Sequence, residues 1–407
     1  MKRKRDRWDS SSEDEDNDEN KTSFNTKNGS GTYTDRKTIN GNIQNKSESD
    51  SKEDQQQCCS TNLSNVENME SQPTPISSKN YALHNPLLQG CRSVYDCYER
   101  LDRLDEGTYG IVWKAKDTTT NELVALKQIK FDSTLTKDGF PMAALREIGV
   151  LLSLSHECIV TVKEMVVGDD FDKVFMVMEY MEMDLKEAME RSGDAPYPQA
   201  ELKNMLFQIL SATQHIHNKW YIHRDMKTSN ILVHNSGKIA LCDFGLARKY
   251  QLPLKALTQT VITLWYRPPE LLFGESVYGP AVDMWSIGCI FGELLKKKAI
   301  LQGQGELDQI DLIFKLIGAP DDTTWPEFKS LPNSNLLRWR NKKEPQIFST
   351  FPVNSLIGGQ TYLDANGFDL LRRLLTLNPQ ERFTAQDALD HKYFKEGVEK
   401  KTPHFQF

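Results

Sequence analysis

Four polar residues near the middle of the chain have side chains of the types that could transfer a phosphoryl group to a hydroxyl. Asp225, Lys227 and Asn230 lie within six positions, and Asp243 follows thirteen residues after Asn230. Such transfer needs a positioned hydroxyl, a neutralised phosphate and magnesium held by oxygen ligands. We expect Asp225 to orient the hydroxyl and receive its proton, and Lys227 to neutralise the γ-phosphate. Asn230 and Asp243 are the expected Mg²⁺ ligands.

A segment upstream of these residues is suited to holding a nucleoside triphosphate. Leu104 to Val112 reads L-D-E-G-T-Y-G-I-V, a turn between two strand-like runs. Its glycines, Gly107 and Gly110, would let backbone N–H groups approach phosphate oxygens. A lone glycine turn is a weak signal because such turns also join ordinary hairpins. Its meaning depends on the residues that follow it.

Lys127 and Glu147 are expected to form an ion pair beside the nucleotide. Lys127 ends the short apolar strand Val124-Ala125-Leu126, where an unpaired charge would be costly. Glu147 lies in a stretch whose apolar residues recur with helical periodicity. We therefore expect Lys127 to contact the α- and β-phosphates while Glu147 holds it in place.

The order of these groups resembles the catalytic core of the protein kinases. Tyr221 to Asn230 reads Y-I-H-R-D-M-K-T-S-N, and Asp243 opens the triplet D-F-G. This is the spacing found in that family. Lys227 has the form found in serine/threonine kinases. The resemblance implies a protein serine/threonine kinase that depends on ATP and Mg²⁺.

Among the kinases, residues 92–394 are most similar to the cyclin-dependent group. E-G-T-Y-G at Glu106–Gly110 and T-L-W-Y-R-P-P-E at Thr263–Glu270 have that group's forms. The segment P-M-A-A-L-R-E, Pro141–Glu147, is similar to the P-I-T-S-L-R-E signature of the PITSLRE-type branch. Mitogen-activated kinases are the alternative, but they carry T-x-Y where this chain has Thr258-Gln259-Thr260.

The resemblance also implies which residues contact ATP. They belong to the glycine turn, to the strand that ends at Lys127 and to the segment that joins the two lobes. They are Leu104, Asp105, Glu106, Gly107, Thr108, Tyr109, Gly110, Ile111, Val112, Ala125, Lys127, Glu179, Met181 and Asp184. Cys242, next to Asp243, either faces this pocket or is a small buried hydrophobic residue.

The resemblance further implies two kinds of phosphorylation. Thr258 has the position of the group's activating phosphothreonine, and three arginines could receive its phosphate. They are Arg146, Arg224 and Arg248. Thr108 and Tyr109 have the position of inhibitory phosphorylation sites. In the alternative interpretation of that pair, Tyr109 only folds over the nucleotide or the substrate.

Partners and substrates follow from the same resemblance. A cyclin would dock on the helix that contains residues 141–147. Val261 and Ile262 match the segment that shapes a pocket for proline, so we expect Ser/Thr-Pro substrates. The group implies a nuclear role in transcription, pre-mRNA processing or the cell cycle. A protein of another class, an inactive scaffold, is disfavoured because Lys127, Asp225, Asn230 and Asp243 are all intact.

Other polar residues are assigned structural roles instead. His223 is expected to pack under Phe244. Asp283 is expected to accept hydrogen bonds from the backbone of the catalytic loop. Glu270 is expected to pair with Arg382.

The hydrophobic pattern predicts an α+β fold with two lobes. Residues 98–181 form strands with one key helix, and residues 182–394 are mostly helical. The predicted strands are Tyr98–Leu104, Ile111–Lys116, Leu123–Gln128, Val160–Val166 and Val174–Met178. The predicted helices are Met142–Leu154, Leu202–His217, Pro280–Leu295, Leu307–Leu316, Phe368–Leu375 and Ala385–Leu389. Residues 395–407 are expected to be a loose tail.

Composition separates the first 90 residues from the rest of the 407-residue chain. Residues 1–90 are charged and poor in aliphatic residues, so we expect disorder. The basic cluster Lys2–Arg7 is either a nuclear-import signal or a solvated basic end.

No secretory signal and no apolar run of about 18 residues is evident, so no membrane span is expected. Seven cysteines without a C-x-x-C pair indicate free thiols, and the net charge of −7 does not favour nucleic-acid binding.

Overall fold

The computed structural model describes residues 91–107, 110–130, 140–170, 173–259, 261–335, 344–354, 356–357 and 360–405. The predictions for residues 1–90 and for Thr108 and Tyr109 lie outside this range. None of the described helices is both long enough and apolar enough to cross a membrane. The described cysteines carry free thiols, as the sequence predicts.

The smaller lobe is a six-stranded sheet with one long helix against it. The strand order is β1-β5-β6-β4-β3-β2, and only the β1–β5 pair is parallel. The strands are β1 (Arg92–Ser93), β2 (Tyr98–Gly107), β3 (Gly110–Asp117), β4 (Leu123–Ile129), β5 (Val162–Val167) and β6 (Val174–Glu179), with the short helix α1 (Val94–Cys97) between β1 and β2. Helix α2 (Met142–Ser153) packs on the sheet through Ala144 and Ile148.

The larger lobe is built from helices around one continuous apolar core. Helix α6 is at its centre, and its residues from Val282 to Leu295 are buried. The helices are α3 (Leu185–Arg191), α4 (Gln199–Asn218), α5 (Pro269–Leu272), α6 (Ala281–Lys296), α7 (Glu306–Ile317), α8 (Ile347–Thr350), α9 (Ala365–Leu374), α10 (Ala385–Leu389) and α11 (Lys392–Lys395).

Seven further strands, all short, form three small sheets in the rest of the described chain. A three-stranded sheet has the order β10-β9-β7, and two-stranded ribbons join β11 to β8 and β12 to β13. The strands are β7 (Met183–Asp184), β8 (Tyr221–Ile222), β9 (Ile231–Val233), β10 (Ile239–Leu241), β11 (Arg248–Lys249), β12 (Leu356–Ile357) and β13 (Gln360–Thr361). The segment from β8 to β10 therefore contains Asp225 and Asn230, and Asp243 follows β10 after one residue, Cys242.

The predicted α+β architecture with two lobes is confirmed, and each predicted strand and helix has a counterpart. Boundaries differ by a few residues, as at α4, which begins at Gln199 rather than Leu202. The sequence pattern missed the short elements β1, α1, α3, α5, α8, α11 and β7–β13. Such elements have too few residues to display a hydrophobic period.

The C-terminal segment differs from the loose tail that was expected. We call residues Glu396–Phe405 the C-terminal strap, because this segment runs along α4 and is fixed to it. The ammonium of Lys203 donates to the carbonyl of Glu396 at 2.7 Å, and the Lys401 N–H donates to the carbonyl of Ala200 at 3.1 Å. Phe405 packs against the core of the larger lobe. The polar composition of the strap concealed these backbone contacts from sequence analysis.

Candidate active site

Lys127 and Glu147 form the predicted ion pair. Nζ of Lys127 is 2.7 Å from Oε1 and 2.9 Å from Oε2 of Glu147. Strand β4 places the lysine, and helix α2 places the glutamate, which is 5% exposed. Burial lowers the pKa of Lys127, but the charge of Glu147 and its hydrogen bond outweigh this, so the net pKa is raised. The ammonium therefore stays charged where an anionic phosphate would need it.

The backbone of strand β4 comes so close to residue 110 that only glycine fits there. A Cβ on Gly110 would lie 2.0 Å from the carbonyl oxygen of Gln128, a backbone atom that cannot move aside cheaply. Gly110 pairs with Ile129 in the ladder between β3 and β4, so strand packing alone demands glycine here. Of the other predicted ATP contacts, Leu104 and Asp105 lie exposed on β2, and Ala125 lies buried on β4.

Asp225 lies at the centre of a hydrogen-bonded cluster. Its Oδ2 is 2.8 Å from Nζ of Lys227 and accepts a hydrogen bond from Nδ2 of Asn230 at 3.0 Å. Its Oδ1 accepts from the hydroxyl of Thr263 at 2.9 Å. Burial raises the pKa of Asp225, but the bonds from Lys227 and Thr263 outweigh this, so the net pKa is lowered. The carboxylate is therefore ionised at neutral pH and can orient a hydroxyl.

Asn230 and Asp243 have the chemistry of the predicted magnesium ligands. Nδ2 of Asn230 donates to the carbonyl and the carboxylate of Asp225, which leaves the amide oxygen as the ligand atom. Asp243 has a left-handed backbone with φ of 56°, and its Oδ1 accepts from the N–H of Gly245. Non-glycine residues in this region are uncommon and often functional. Mg²⁺ binds through one or two such protein oxygens plus substrate phosphates.

Buried hydrogen bonds fix the backbone around Asp225. Asp283 accepts from the N–H of His223 and of Arg224, both at 2.9 Å, as the sequence predicts. The ring of His223 packs edge-on against Phe244 with centroids 4.8 Å apart, also as predicted. Arg224 has φ of 67°, so the carboxylate holds a strained turn in place. The predicted pair of Glu270 and Arg382 is buried, with its nearest atoms 2.8 Å apart.

The predicted ATP contacts Glu179, Met181 and Asp184 lie in the segment that joins the two lobes, residues 179–184, which we call the hinge. Glu179 ends β6, and its carboxylate contacts Nζ of Lys238 at 2.5 Å. Met181 is buried, and Asp184 caps helix α3 by accepting from the N–H of Glu187 at 2.8 Å. Burial raises the pKa of Asp184.

Cys242 is packed beside the hinge. Its thiol lies 3.3 Å from the carbonyl of Asn230, and its side chain packs against the cluster that contains Met181 and Ala240. Burial raises the pKa of this thiol above its ordinary value. These contacts fit the interpretation of Cys242 as a small buried hydrophobic residue.

Thr258 lies exposed near the three predicted arginines. Its carbonyl accepts a hydrogen bond from the hydroxyl of Tyr278, which in turn accepts from Arg224 at 2.9 Å. The pKa of Arg248 is lowered by burial and by the positive charges of Arg224 and Arg146. Arg224 and Arg146 therefore lie close enough to Arg248 for their charges to repel it, which an added phosphate would relieve.

Arg267 holds the backbone carbonyls of Val261 and Ile262. Ile262 is left-handed with φ of 68°, and its carbonyl accepts from Nε and Nη2 of Arg267 at 3.2 and 3.1 Å. Nε of Arg267 also donates to the carbonyl of Val261 at 3.0 Å. One arginine thus fixes both residues of the predicted proline pocket.

Helix α2 buries Glu147 and exposes apolar residues on the opposite side. Met142 is 68%, Leu145 47% and Leu152 65% exposed. Each lies three or seven positions from the next, the spacing of one helical face. The helix carries Arg146 as well, so it links this exposed face to both Lys127 and the arginine cluster.

Residues 98–394 match the family described as the protein kinase domain. The chain belongs to the protein kinase family. It is 48% identical over 310 residues to "Cyclin-dependent kinase G-1" of Oryza sativa subsp. indica, covering 76% of this chain and 44% of that protein. It is 47% identical to "Cyclin-dependent kinase 11B" of Mus musculus, covering 76% and 38%, and 46% identical to the Rattus norvegicus protein of that name, covering 76% and 69%.

These matches confirm the predicted family. The relatives bear the names of cyclin-dependent kinases, and the predicted serine/threonine kinase class and its PITSLRE-type branch are confirmed with them. The chain spans less than half the length of the first relatives that it matches. The residue roles and the Ser/Thr-Pro preference remain predictions.

Sequence analysis missed Thr263, Tyr278 and Lys238. Thr263 contacts Asp225, Tyr278 connects Thr258 to Arg224, and Lys238 contacts Glu179. The position of Thr263 at the start of T-L-W-Y-R-P-P-E was a usable signal, since that segment had been singled out. Tyr278 and Lys238 lie in ordinary loops that carry no such signal.

Proposed function

We propose that this chain is the catalytic subunit of a cyclin-dependent protein kinase that transfers the γ-phosphate of ATP to serine or threonine. The arrangement of Lys227, Asn230 and Thr263 around the ionised carboxylate of Asp225 carries this proposal. Asp225 orients the substrate hydroxyl and receives its proton, and Lys227 neutralises charge on the transferred group. Lys127, held by Glu147, aligns the α- and β-phosphates.

Magnesium, when bound, supplies charge neutralisation on the β- and γ-phosphates. Asn230 and Asp243 would hold it through oxygen atoms. The most direct test is transfer to a Ser-Pro peptide by the full chain with its purified cyclin. We expect turnover that EDTA abolishes and that excess Mg²⁺ restores. Binding of ATP with no transfer to any Ser or Thr peptide would instead favour the inactive scaffold.

We propose that the residue after the target serine or threonine is proline. An ordinary residue there would bring a backbone N–H into the cleft, and the nearby Ile262 carbonyl is already occupied by Arg267. An unpaired buried N–H is costly, whereas proline has none. Peptides that differ only as Ser-Pro and Ser-Ala test this. We expect kcat/KM to be about tenfold or more higher for Ser-Pro, the size of one such penalty. Equal values would refute the preference.

The exposed apolar face of α2 is the surface on which we propose that the cyclin docks. Binding there would hold the helix inward and so keep Glu147 on Lys127. Leu145→Asp should weaken cyclin binding by about tenfold or more, because it places a charge in an apolar interface. Leu307→Asp is a matched control, since Leu307 is also exposed but lies on α7. If both variants bound the cyclin with equal affinity, the cyclin would dock on a surface other than this face of α2.

We also propose a nuclear location, with a role in transcription, pre-mRNA processing or the cell cycle. The basic cluster Lys2–Arg7 is the sequence feature behind this proposal. Replacing its lysines and arginines with alanine should move a fluorescent fusion of the full chain out of the nucleus. An unchanged distribution would favour the solvated basic end.

A further inference from the structure

The C-terminal strap carries a Thr-Pro dipeptide, Thr402-Pro403, which neither the site nor the comparisons explain. The sequence has 17 prolines, and those preceded by serine or threonine are Pro75, after Thr74, and Pro403, after Thr402. The chain therefore contains few acceptors for a proline-directed kinase, and one of them lies in a segment that the structure describes.

The side chains of this dipeptide have different environments. Thr402 is exposed, whereas Pro403 is buried. The two residues lie directly against the turn at Gly237, where a Cβ would come within 2.2 Å of Cγ2 of Thr402 and 2.8 Å of the Pro403 carbonyl. The methyl group of Thr402 is thus held against this turn. The proline, which a proline-directed enzyme must contact, is covered by the strap's own packing.

The strap is anchored at its start by Glu396, and further along by the Lys401 N–H, by Lys400 over the ring of Phe207 and by Phe405. Lys203 is fully buried, and its ammonium donates to the Glu396 carbonyl at 2.7 Å. Asn366 donates to the Glu396 carboxylate at 3.2 Å. A terminal segment is expected to open locally at a free-energy cost below that of global unfolding, because only this segment loses its contacts. Opening would expose Pro403 and leave Thr402 free to extend into a kinase cleft.

We propose that Thr402 is a phosphorylation site that a second copy of this kinase modifies when the strap opens. The inference rests on the proposed proline-directed activity. Oγ of Thr402 attacks the terminal phosphorus of ATP, and the bond from that phosphorus to the bridging oxygen breaks. ADP leaves with the electron pair, and the hydroxyl proton passes to Asp225 of the copy that acts as enzyme. The product adds nearly two negative charges beside Lys400 and Lys401.

The test uses full chains with purified cyclin and reads phosphate at each site by mass spectrometry. The enzyme copy carries Thr74→Ala and Thr402→Ala, and the acceptor copy carries Asp225→Asn, so transfer runs in one direction. A Ser-Pro peptide in the same reaction reports the proposed activity itself. Thr74 of the acceptor serves as the matched internal site, because none of the strap contacts described above involves it.

We expect phosphate on Thr402, and we expect Lys203→Met in the acceptor to raise its rate threefold or more without changing the rate at Thr74. Asn366→Ala, a milder change at the same anchor, should act in the same direction. Pro403→Ala should lower the rate tenfold or more, even though it also loosens the strap. Thermal unfolding of each acceptor variant checks that the larger lobe stays folded.

Two results would overturn the proposal while leaving the proposed function intact. One is normal phosphorylation of the peptide with Thr402 unmodified in the wild-type strap and in both loosened variants. The other is modification of Thr402 at a rate indifferent to Pro403. Failure of the peptide itself to be phosphorylated would refute the proposed function, and the assignment of Thr402 would fall with it.

Discussion

In the larger lobe, buried hydrogen bonds fix the backbone of the loop that carries Asp225. In the smaller lobe, Glu147 lies on helix α2, whose outer face is exposed. His223, Arg224 and Asp283 are each 1% exposed or less. On α2, by contrast, Leu145 is 47% exposed and Met142 68%. The same site is thus fixed on one side and held on the other by a helix that a partner can reach. Regulation is expected to act on the second side.

The largest expected effect is on the chemistry of the fixed side. Asp225→Asn removes the group that orients the hydroxyl and accepts its proton, so kcat should fall about 10²- to 10⁴-fold. Thermal stability should change little, because asparagine can keep most of the hydrogen bonds. Single-turnover transfer to a Ser-Pro peptide, with cyclin present, is the measurement. Turnover close to wild type would show that Asp225 is not the catalytic carboxylate.

Two amide variants, Asp283→Asn in the larger lobe and Glu147→Gln in the smaller lobe, compare how rigidly each lobe holds its part of the site. Asp283→Asn would leave one of two buried backbone N–H groups without an acceptor and cost about 2–4 kcal/mol, lowering Tm by roughly 5–10 °C. Glu147→Gln should lower activity but reduce Tm by less than half as much, because α2 can shift and let Lys127 regain water. Differential scanning calorimetry of both variants and of the wild type measures the three Tm values. Equal losses of Tm would mean that both sides are equally rigid.

The pH dependence of the Asp283 effect follows from its pKa. Burial raises the pKa of Asp283, but hydrogen bonds from His217 and the Arg224 N–H outweigh this, so the folded pKa is below its ordinary value. A depressed carboxyl pKa gives stability that is present above the unfolded value and is lost as pH falls through the folded value. The Tm gap between wild type and Asp283→Asn should therefore be constant at neutral pH and narrow only below about pH 4.

A smaller effect is expected at Thr258, where the two sides meet. Phosphate there would join Arg146 of α2 to Arg224 and Arg248 of the larger lobe. Thr258→Ala should lower activity about tenfold, the size of one or two charge-assisted hydrogen bonds, while cyclin affinity stays within twofold. Thr258→Ser, which can still be phosphorylated, is the control. Unmodified Thr258 in a fully active preparation would contradict the prediction.

The sequence predicted the site residues that lie within recognisable motifs, but not the contacts that join one motif to another. Lys127, Glu147, Asp225 and Asp283 were all predictable, because each lies in a motif whose spacing encodes its role. The links between motifs were not. Tyr278 reaches Thr258 and Arg224 across 20 and 54 positions. The strap anchor joins Lys203 to Glu396 across 193 positions. Contacts at such separations are set by packing, which no local pattern records.

The smallest expected effect concerns Lys238, which braces the hinge from the fixed side. Its ammonium contacts Glu179, whose other oxygen accepts from the N–H of Thr161 at 2.9 Å. Lys238→Met would remove the ammonium that contacts this carboxylate and loosen the hinge, but it would leave Asp225 unaffected. The pair is partly exposed, so KM for ATP should rise only about two- to threefold with kcat unchanged. Lys163→Met is a fitting control, because Lys163 makes an exposed pair with Glu122 in the same sheet. If kcat fell while KM stayed constant, Lys238 would act on the catalytic loop through β10 and not on the hinge.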